Sequence, residues 1–452
     1  MRARREWFPV LLAVIINGIV LSNAVRHPAG VGYDAHAHLT NIQVYPLRFP
    51  TPQDSAEYFS APLSYQGPSV FDKFCMLVLS PAEACRWRMG KVAQFLNVLL
   101  SVGITAALWK SCEWLRPGST SFKVSTFALL AVLTVYYRTF SQVRPEPYVA
   151  FFTCLLMLQL LSMLVHKKYG WNPGLRLGLV LGLLILSRQW GFFAFPALAA
   201  FVLAMLLSAH SSGNQMLRAT AVASAVALLV GGWFYLHLLL TYGSVAEFPM
   251  QSPGFSISNQ PSVFYSETGF GNPELFRSPV RPAFGDEGTQ AFMPIFYSDT
   301  WGDYWCYFSC VNRTYGSVAP NQQQIGPFLG KVNLVSTYPT LLLLAALTYG
   351  AISFLRALQR RGLHTQDLFG GFLFCFVACS WIGYMIFQIV YPTDAATNKA
   401  TYMIQIFMAL PVLGGLLLDK IRERHPQLHV IALSGLALVF MHNLPALFTR
   451  WR

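Results

Sequence analysis

Apolar runs of about 20 residues recur along this chain, and they constrain its fold more than any other feature. A helix needs roughly 20 apolar residues to cross the hydrocarbon core of a bilayer. Eleven membrane-spanning helices are predicted, over residues 7–25, 92–109, 123–138, 145–165, 175–189, 191–208, 217–240, 332–355, 368–391, 400–418 and 428–448. Because 54% of the residues are hydrophobic and only 11% are charged, the sequence predicts an all-α polytopic membrane protein rather than a soluble domain.

The distribution of charge predicts how the chain is oriented. Six segments on one side of the predicted spans carry 16 of the 32 Lys and Arg residues, among them MRARRE at the start and DKIRERHPQ before the last span. An excess of cations marks the cytoplasmic side of a membrane protein. The N-terminus is therefore predicted to be cytoplasmic, and the first span to be a retained anchor rather than a cleaved signal peptide. The net charge of +13 needs no nucleic acid to explain it.

Two long loops on the opposite, outer side interrupt the pattern of spans. Residues 26–91 form the first outer loop and residues 241–330 the second, within a single membrane domain that covers 1–452. Fourteen of the 19 acidic residues fall on this side, together with many aromatic residues and prolines. Both loops are predicted to carry short interfacial helices. The concentration of acids indicates chemistry outside the cytoplasm, in a bacterial plasma membrane or, alternatively, the endoplasmic reticulum.

The stretch GYDAHAHLTNIQ closely follows the first span and places Asp34, His36 and His38 within five residues. A partly desolvated carboxylate can act as a general base towards a hydroxyl, because desolvation raises its pKa towards the working pH. The alternative is that Asp34 caps a short helix. The same three side chains could also hold a divalent metal, although the favoured interpretation requires no cofactor. In that interpretation the histidines hold a substrate or the local geometry.

The segment EYFSAPLSYQGP in the first outer loop holds two further candidates, Glu57 and Tyr65. A second acid followed by a Pro-aromatic turn could pair with Asp34 across the loop. Glu57 could equally be a solvated acid on an interfacial helix, and the motif does not decide between these alternatives.

Three outer turns each offer a cation near the membrane surface. Charged side chains are costly there unless they have a function, and a group of cations suits a phosphate held at the level of the lipid headgroups. Snorkelling towards lipid phosphates is the alternative for any one of them. The candidates in these turns are Arg138, Arg144, Glu146, Arg188, Asp394, Lys399 and Tyr402.

Two cysteine pairs lie in the outer loops. Cys75 and Cys85 could pair in the first loop, and Cys306 and Cys310 in the second, because conditions outside the cytoplasm permit disulfides. Isolated thiols are the alternative, and the spacing does not decide between the two.

Several familiar motifs are absent from the sequence. It contains no Gly-rich nucleotide loop, no GxSxG elbow and no HExxH zinc motif. An ATP-driven pump and a protease of a soluble type are therefore disfavoured. A transporter or flippase of a lipid-linked or anionic substrate remains the alternative function, although the charges cluster in outer turns rather than in mid-helix and no internal repeat is evident.

The outer motifs resemble those of the GT-C glycosyltransferases, which use polyprenyl-phosphate sugars. The first loop reads YDAHAHLTNIQVYPLRFP and then EYFSAPLSYQGP, similar to the DE…H and HPPLYY elements of protein O-mannosyltransferases and lipid A aminoarabinose transferase-like enzymes. VRPEPYVAFF and NKATYMIQIFMALPVLGGLLL resemble later elements of the same enzymes. The chain departs from them at Ala35, where a second acid is usual, in the single Pro of APLSY, and at Lys399, where Arg is usual.

The resemblance implies a hexosyl- or pentosyltransferase that acts on the outer face. It takes a sugar from a polyprenyl-phosphate donor and passes it to a glycan, lipid or protein acceptor, without nucleic acid. Asp34 would be the base, with Glu57 and Glu146 as candidate partners. The remaining site residues would bind substrate, with Arg144 and Lys399 foremost on the donor phosphate, and they comprise His36, His38, Tyr65, Arg138, Arg144, Glu146, Arg188, Lys399 and Tyr402.

Overall fold

The computed structural model describes residues 6–78, 82–250, 252–281, 291–311, 319–359, 364–392 and 397–450. All regular structure in these ranges is helical. The α-helices are α1 (Trp7–Arg26), α2 (Ala35–Val44), α3 (Leu63–Val78), α4 (Ala82–Leu115), α5 (Thr120–Ala131), α6 (Thr134–Ser141), α7 (Glu146–His166), α8 (Trp171–Ser187), α9 (Ala194–Leu207), α10 (Gly213–Ala227), α11 (Trp233–Tyr242), α12 (Ser262–Ser266), α13 (Glu274–Arg277), α14 (Phe292–Trp301), α15 (Gln322–Val335), α16 (Thr337–Gln359), α17 (Thr365–Val390), α18 (Ile406–Arg424) and α19 (Pro426–Asn443).

Many of these helices are long and apolar enough to cross a membrane. In the described ranges there are eight such stretches, or nine if the bent pair α5 and α6 counts as one span. They are Trp7–Arg26, Arg88–Leu115, Glu146–His166, Gln189–Leu207, Gly213–Tyr242, Gln322–Arg356, Thr365–Val390 and Pro426–Leu447. The predicted all-α polytopic membrane protein is thus confirmed, whereas the count of eleven spans is not.

Three predicted spans differ from the observed helices. Residues 123–138 form two helices bent by 64°, because Leu133 is extended and α6 carries Thr, Tyr, Arg and Ser side chains that pack inside the protein. The span predicted over 175–189 is α8, which has 17 residues and ends at Ser187. The one predicted over 400–418 begins with a 3₁₀ turn at Ala400–Met403 and continues as α18, whose last turns are charged.

Polar contacts identify one end of the helix bundle. Lys123 Nζ lies 2.9 Å from a Glu6 carboxylate oxygen, and Ser119 Oγ donates to Asp419 at 3.0 Å. Gln366 donates to the Leu115 carbonyl at 2.8 Å. The starts of α1, α5 and α17 therefore meet the ends of α4 and α18 here, and the segments that follow α1 and precede α7 lie at the opposite end.

The two outer loops lie at that opposite end and carry short helices, α2 and α3 in the first and α12 to α14 in the second. The first loop is tied to the bundle by Gln94, which donates to the carbonyls of His27 at 3.0 Å and Ser141 at 2.6 Å. Both cysteine pairs are bonded in the structure, Cys75 to Cys85 and Cys306 to Cys310. Each loop is thus cross-linked within itself, and the first is also tied to the bundle.

Candidate functional site

Asp34 sits at the N-terminal boundary of α2 in a left-handed backbone conformation, with φ 54° and ψ 21°. This region is uncommon for a residue other than glycine and costs of order 1 kcal/mol. The carboxylate makes no capping hydrogen bond, so the alternative interpretation, in which Asp34 caps the helix, is wrong. Instead, Lys399 Nζ donates to Asp34 Oδ2 at 2.7 Å. The strained backbone thus directs the carboxylate across to a residue that is distant in sequence.

The Asp34–Lys399 pair lies at an opening of the structure. The Asp34 side chain keeps 40% of its surface exposed, whereas that of Lys399 keeps 10%. Burial by itself raises the pKa of the Asp34 carboxyl, but the Lys399 ammonium holds it well below its usual range. Burial lowers the pKa of Lys399, and Asp34 more than restores it, so that it lies above the usual range. The expectation that desolvation makes Asp34 more basic is therefore wrong while the pair is intact.

The Tyr402 ring lies between three cationic side chains that the sequence predicts as substrate-binding residues. Lys399 Nζ is 3.4 Å from the Tyr402 hydroxyl, and the guanidinium carbons of Arg144 and Arg188 are each 5.7 Å from the centre of its ring. The face of an aromatic ring attracts cations. Turns that are far apart in sequence thus bring three positive groups to one buried aromatic residue.

A chain of buried ion pairs runs behind Tyr402. Arg188 lies 2.7 Å from a Glu57 carboxylate oxygen and 3.8 Å from one of Glu146. Glu146 in turn accepts from Arg144 Nε at 2.6 Å. All four side chains are at least 93% buried, where an unpaired charge would be costly, and alternation of sign offsets that cost.

The cluster around Tyr402 is balanced in charge. Its charged members are the acids Asp34, Glu57 and Glu146 and the cations Arg144, Arg188 and Lys399. Arg144 and Arg188 are each held by buried carboxylates, whereas Lys399 is held by the partly exposed Asp34. Lys399 is therefore the cation of the cluster whose acidic partner a ligand can most readily replace.

The two predicted histidines have different surroundings. His38 is buried, and its Nδ1 lies 2.8 Å from the Tyr65 hydroxyl, while His36 is exposed. Burial lowers the pKa of His38 to about 4, so this ring is neutral at physiological pH. In the described part of the chain, no three His, Cys, Asp or Glu side chains group as metal ligands. Asp34 and His38 have separate partners, so the metal alternative stays a prediction.

Arg138 lies apart from the cluster. Its guanidinium donates to the Gly302 carbonyl at 2.9 Å and lies 3.1 Å from an Asp299 carboxylate oxygen. Its side chain is completely buried. The structure therefore places Arg138 against Asp299 and Gly302 of the second outer loop. Asp394, the remaining charged candidate in the outer turns, falls outside the described residues.

Sequence reasoning did not select Tyr33 and Ser60, which both belong to the cluster. The Tyr33 ring centre lies 5.2 Å from Lys399 Nζ and 5.2 Å from the Arg144 guanidinium carbon. Ser60 Oγ donates to Glu57 and accepts from Arg188. Tyr33 directly precedes Asp34 and Ser60 lies three residues after Glu57, so proximity to a chosen acid was the available signal.

An apolar groove of about 660 Å³ adjoins the cluster. Membrane-spanning stretches from three parts of the chain line it, and its walls include Trp190, Phe193, Leu236, Phe248, Ile386 and Phe387. The Trp190 ring centre lies 5.1 Å from that of Tyr402. One wall residue of the groove, Trp190, therefore packs against the aromatic ring at the centre of the charged cluster.

Comparisons with known proteins place the fold. No protein-family model matches the chain, and no curated protein matches it. Among solved structures, ArnT from Cupriavidus metallidurans, bound to undecaprenyl phosphate, matches with a TM-score of 0.51 and 14% identity over 97% of this chain and 64% of its own. The chain has the GT-C fold.

A second GT-C structure agrees with this assignment. The oligosaccharyltransferase AglB from Archaeoglobus fulgidus, in complex with an inhibitory peptide and a dolichol-phosphate, matches with a TM-score of 0.51 and 14% identity. The match covers 99% of this chain and 56% of AglB. The chain thus spans about three fifths of the length of these GT-C structures, and at this identity the likeness concerns the fold.

Proposed function

We propose that this protein is a glycosyltransferase that moves a sugar from a polyprenyl-phosphate donor to an acceptor hydroxyl on the extracytoplasmic face of a membrane. The observation that carries the proposal is the partly exposed Asp34–Lys399 pair, which lies beside Tyr402, a ring that contacts Trp190 in the wall of the apolar groove. The GT-C fold supports it, because the ArnT and AglB structures hold undecaprenyl phosphate and a dolichol-phosphate.

The donor would lie with its polyprenyl chain in the apolar groove and its phosphate beside Tyr402. The groove walls are apolar side chains from membrane-spanning helices, which suits a hydrocarbon chain. Lys399 is the cation best placed to receive the phosphate, because its acidic partner is partly exposed. Arg144 adds positive charge near the same ring, since its guanidinium carbon and Lys399 Nζ each lie 5.2 Å from the centre of Tyr33, and a phosphate held by two cations is a strong, charge-assisted contact.

Donor binding would also activate the base. A phosphate that approaches Lys399 competes with Asp34 for the ammonium group. Once Lys399 turns to the phosphate, the interaction that lowers the pKa of Asp34 weakens, and burial then raises that pKa. The carboxylate becomes a better proton acceptor when the donor is in place, which is when a base is needed.

The transfer then needs few protein groups. Asp34 takes the proton of the acceptor hydroxyl, the acceptor oxygen forms a bond to the anomeric carbon, and the bond from that carbon to the phosphate oxygen breaks. The leaving group departs as polyprenyl phosphate, whose charge Lys399 and Arg144 stabilise. Glu57 acts here as a positioning group for Arg188 rather than as a second base, because it is buried against that guanidinium at 2.7 Å.

The test uses the purified full-length protein and a panel of polyprenyl-phosphate sugars, with release of polyprenyl phosphate as the readout. We expect wild-type turnover to be abolished by Asp34→Asn and retained by Asp54→Asn. Asp54 is the matched control because it is also a first-loop acid paired with a cation, Arg48 at 2.6 Å, but lies outside the cluster. Folded wild-type protein that binds the lipids and consumes none of the donors would overturn the proposal and favour a flippase.

A further inference from the structure

Asp299 in α14 binds two different segments of the chain with its two carboxylate oxygens. The Tyr33 hydroxyl donates to Oδ1 at 2.7 Å, and the Ala400 backbone N–H donates to Oδ2 at 2.7 Å. Tyr33 directly precedes Asp34, and Ala400 directly follows Lys399. One buried carboxylate therefore holds both chain segments that carry the proposed base and its cationic partner.

The Asp299 carboxylate is itself rigidly held. Its side chain is completely buried, and the Arg138 guanidinium lies 3.1 Å from Oδ1. Arg138 also donates to the Asp299 and Gly302 carbonyls, which fixes the end of α14 against α6. Hydrogen bonds to a charged group in such a dry environment are stronger than those at a surface. Arg138, which sequence reasoning associated with the donor phosphate, thus supports the carboxylate of Asp299.

We propose that Asp299 is a positioning residue that fixes the separation of Asp34 and Lys399 throughout the reaction. This inference rests on the proposed function. In the resting structure the ion pair itself holds the two residues together at 2.7 Å. When Lys399 turns to the donor phosphate, that contact is lost. The segment that carries Asp34 and the segment that carries Lys399 nevertheless keep their separation, because Asp299 still binds both. The contact from Asp299 matters most at the stage when the ion pair is open.

Asp299→Asn tests this directly, because asparagine has one acceptor oxygen in place of two and cannot accept from both the Tyr33 hydroxyl and the Ala400 N–H. An amide turned to keep the bond from Ala400 sets its NH2 group against the Arg138 guanidinium, which lies 3.1 Å from Oδ1. We expect kcat for donor consumption to fall about 100-fold, the loss typical of a misplacement of about 1 Å at a reacting group. Asp303→Asn is the matched control. Asp303 is as deeply buried and lies 3.7 Å from Arg138, but it accepts backbone N–H groups of Phe308 and Ser309 in its own loop.

The milder variant Tyr33→Phe removes one of the two bonds and keeps the ring that faces Lys399. We expect kcat to fall about tenfold while the donor KM stays unchanged, because the bond to Ala400 still holds the Lys399 segment. If Asp299 had a purely structural role, the Asp299 and Asp303 variants would lose melting temperature alike, and kcat would not fall selectively while KM stays unchanged. A kcat for Asp299→Asn within about threefold of that for Asp303→Asn would overturn the inference.

A second readout is independent of transferase activity. Asp34→Cys and Lys399→Cys are introduced together, and a short bifunctional thiol reagent reports how often the two positions meet. We expect the yield to fall when Asp299→Asn is added and to stay unchanged with Asp303→Asn. Equal yields would refute the positioning role even if donor turnover is observed. A protein that shows the expected change in yield but consumes no donor would refute only the transferase proposal.

Discussion

Lys399 has two anionic partners in the proposed reaction, Asp34 before the donor binds and the donor phosphate afterwards, and the exchange predicts a pH signature. A carboxyl with a lowered pKa stays ionised to lower pH, so an enzyme that needs ionised Asp34 keeps its activity further into acid while Lys399 is paired with it. The pH profile of kcat/KM for the donor reports the free enzyme, and that of kcat reports the enzyme–donor complex. We therefore expect the acidic limb of kcat at a higher pH than that of kcat/KM.

The groups that face Asp34 decide how this signature is checked. Burial raises its pKa, while Lys399 and, more weakly, Arg144 lower it, and His38 adds to this lowering only below about pH 4, where its ring is charged. In Lys399→Met the ion pair is absent with and without donor. We therefore expect the acidic limbs of kcat and kcat/KM to coincide in the residual activity of this variant. Coincident limbs in the wild-type enzyme would show that the donor does not separate the pair.

At this scale the sequence identified residues but not their partners. Arg144, Arg188 and Lys399 are candidates because charges near a membrane surface are unusual, and Asp34 is one because it lies within five residues of two histidines. All four lie in the cluster. Arg138 satisfied the same criterion yet belongs with Asp299, because nothing local distinguishes an arginine beside a ligand from one beside a distant carboxylate. The lowered pKa of Asp34 was missed for the same reason, since it depends on a contact between distant parts of the chain.

At the scale of helices, a row of glycines in α8 allows close packing against α10 and so positions Arg188 in the cluster. α8 ends at Ser187, directly before Arg188, and Gly174, Gly178 and Gly182 lie on its face towards α10. A Cβ atom at Gly178 would lie 2.6 Å from the Ala223 carbonyl oxygen. Close approach through small residues is a common way for membrane helices to pack, and here it fixes the helix that delivers Arg188.

Gly178→Ala is therefore expected to destabilise the protein by about 1–3 kcal/mol, the usual effect of adding a methyl group to a tightly packed contact. Thermal unfolding of the purified protein measures it, and donor turnover should fall with it. Gly18→Ala is the matched control, because Gly18 lies in α1 with nothing within 4 Å of its Cβ position. Equal melting temperatures for the two variants would show that the α8–α10 contact is not tight.

Helical elements were predictable where apolar composition alone decides them. α1, α7, α9 and α17 lie close to their predicted spans, because a long apolar run has few alternatives in a membrane. The bend between α5 and α6 was not predicted. Residues 123–138 are apolar enough to read as one span, and what turns α6 away is its burial among α14 and the outer loops, a tertiary contact that periodicity does not report.

For the whole molecule, the remaining question is which face of the membrane carries the site. The structure places the cluster and the basic end of the bundle at opposite ends. His166 and Trp114 contact each other at 5.5 Å and so bring the start of α8 to the same end as Glu6 and Lys123. If the basic end is cytoplasmic, as the positive-inside rule predicts, the cluster faces outward and meets donors presented on that side.

Two variants, each with one added cysteine at an equally exposed position, test this orientation. Leu47 in the first outer loop is 78% exposed, and Trp171 at the start of α8 is 75% exposed. With a thiol reagent that does not cross membranes, we expect intact cells to label the Leu47→Cys variant and to protect the Trp171→Cys variant until the membrane is permeabilised. The wild-type protein gives the background from its native cysteines. The reverse pattern would place the cluster on the cytoplasmic face, where an extracytoplasmic acceptor hydroxyl could not reach Asp34, and would rule out outward-facing transfer whatever the donor.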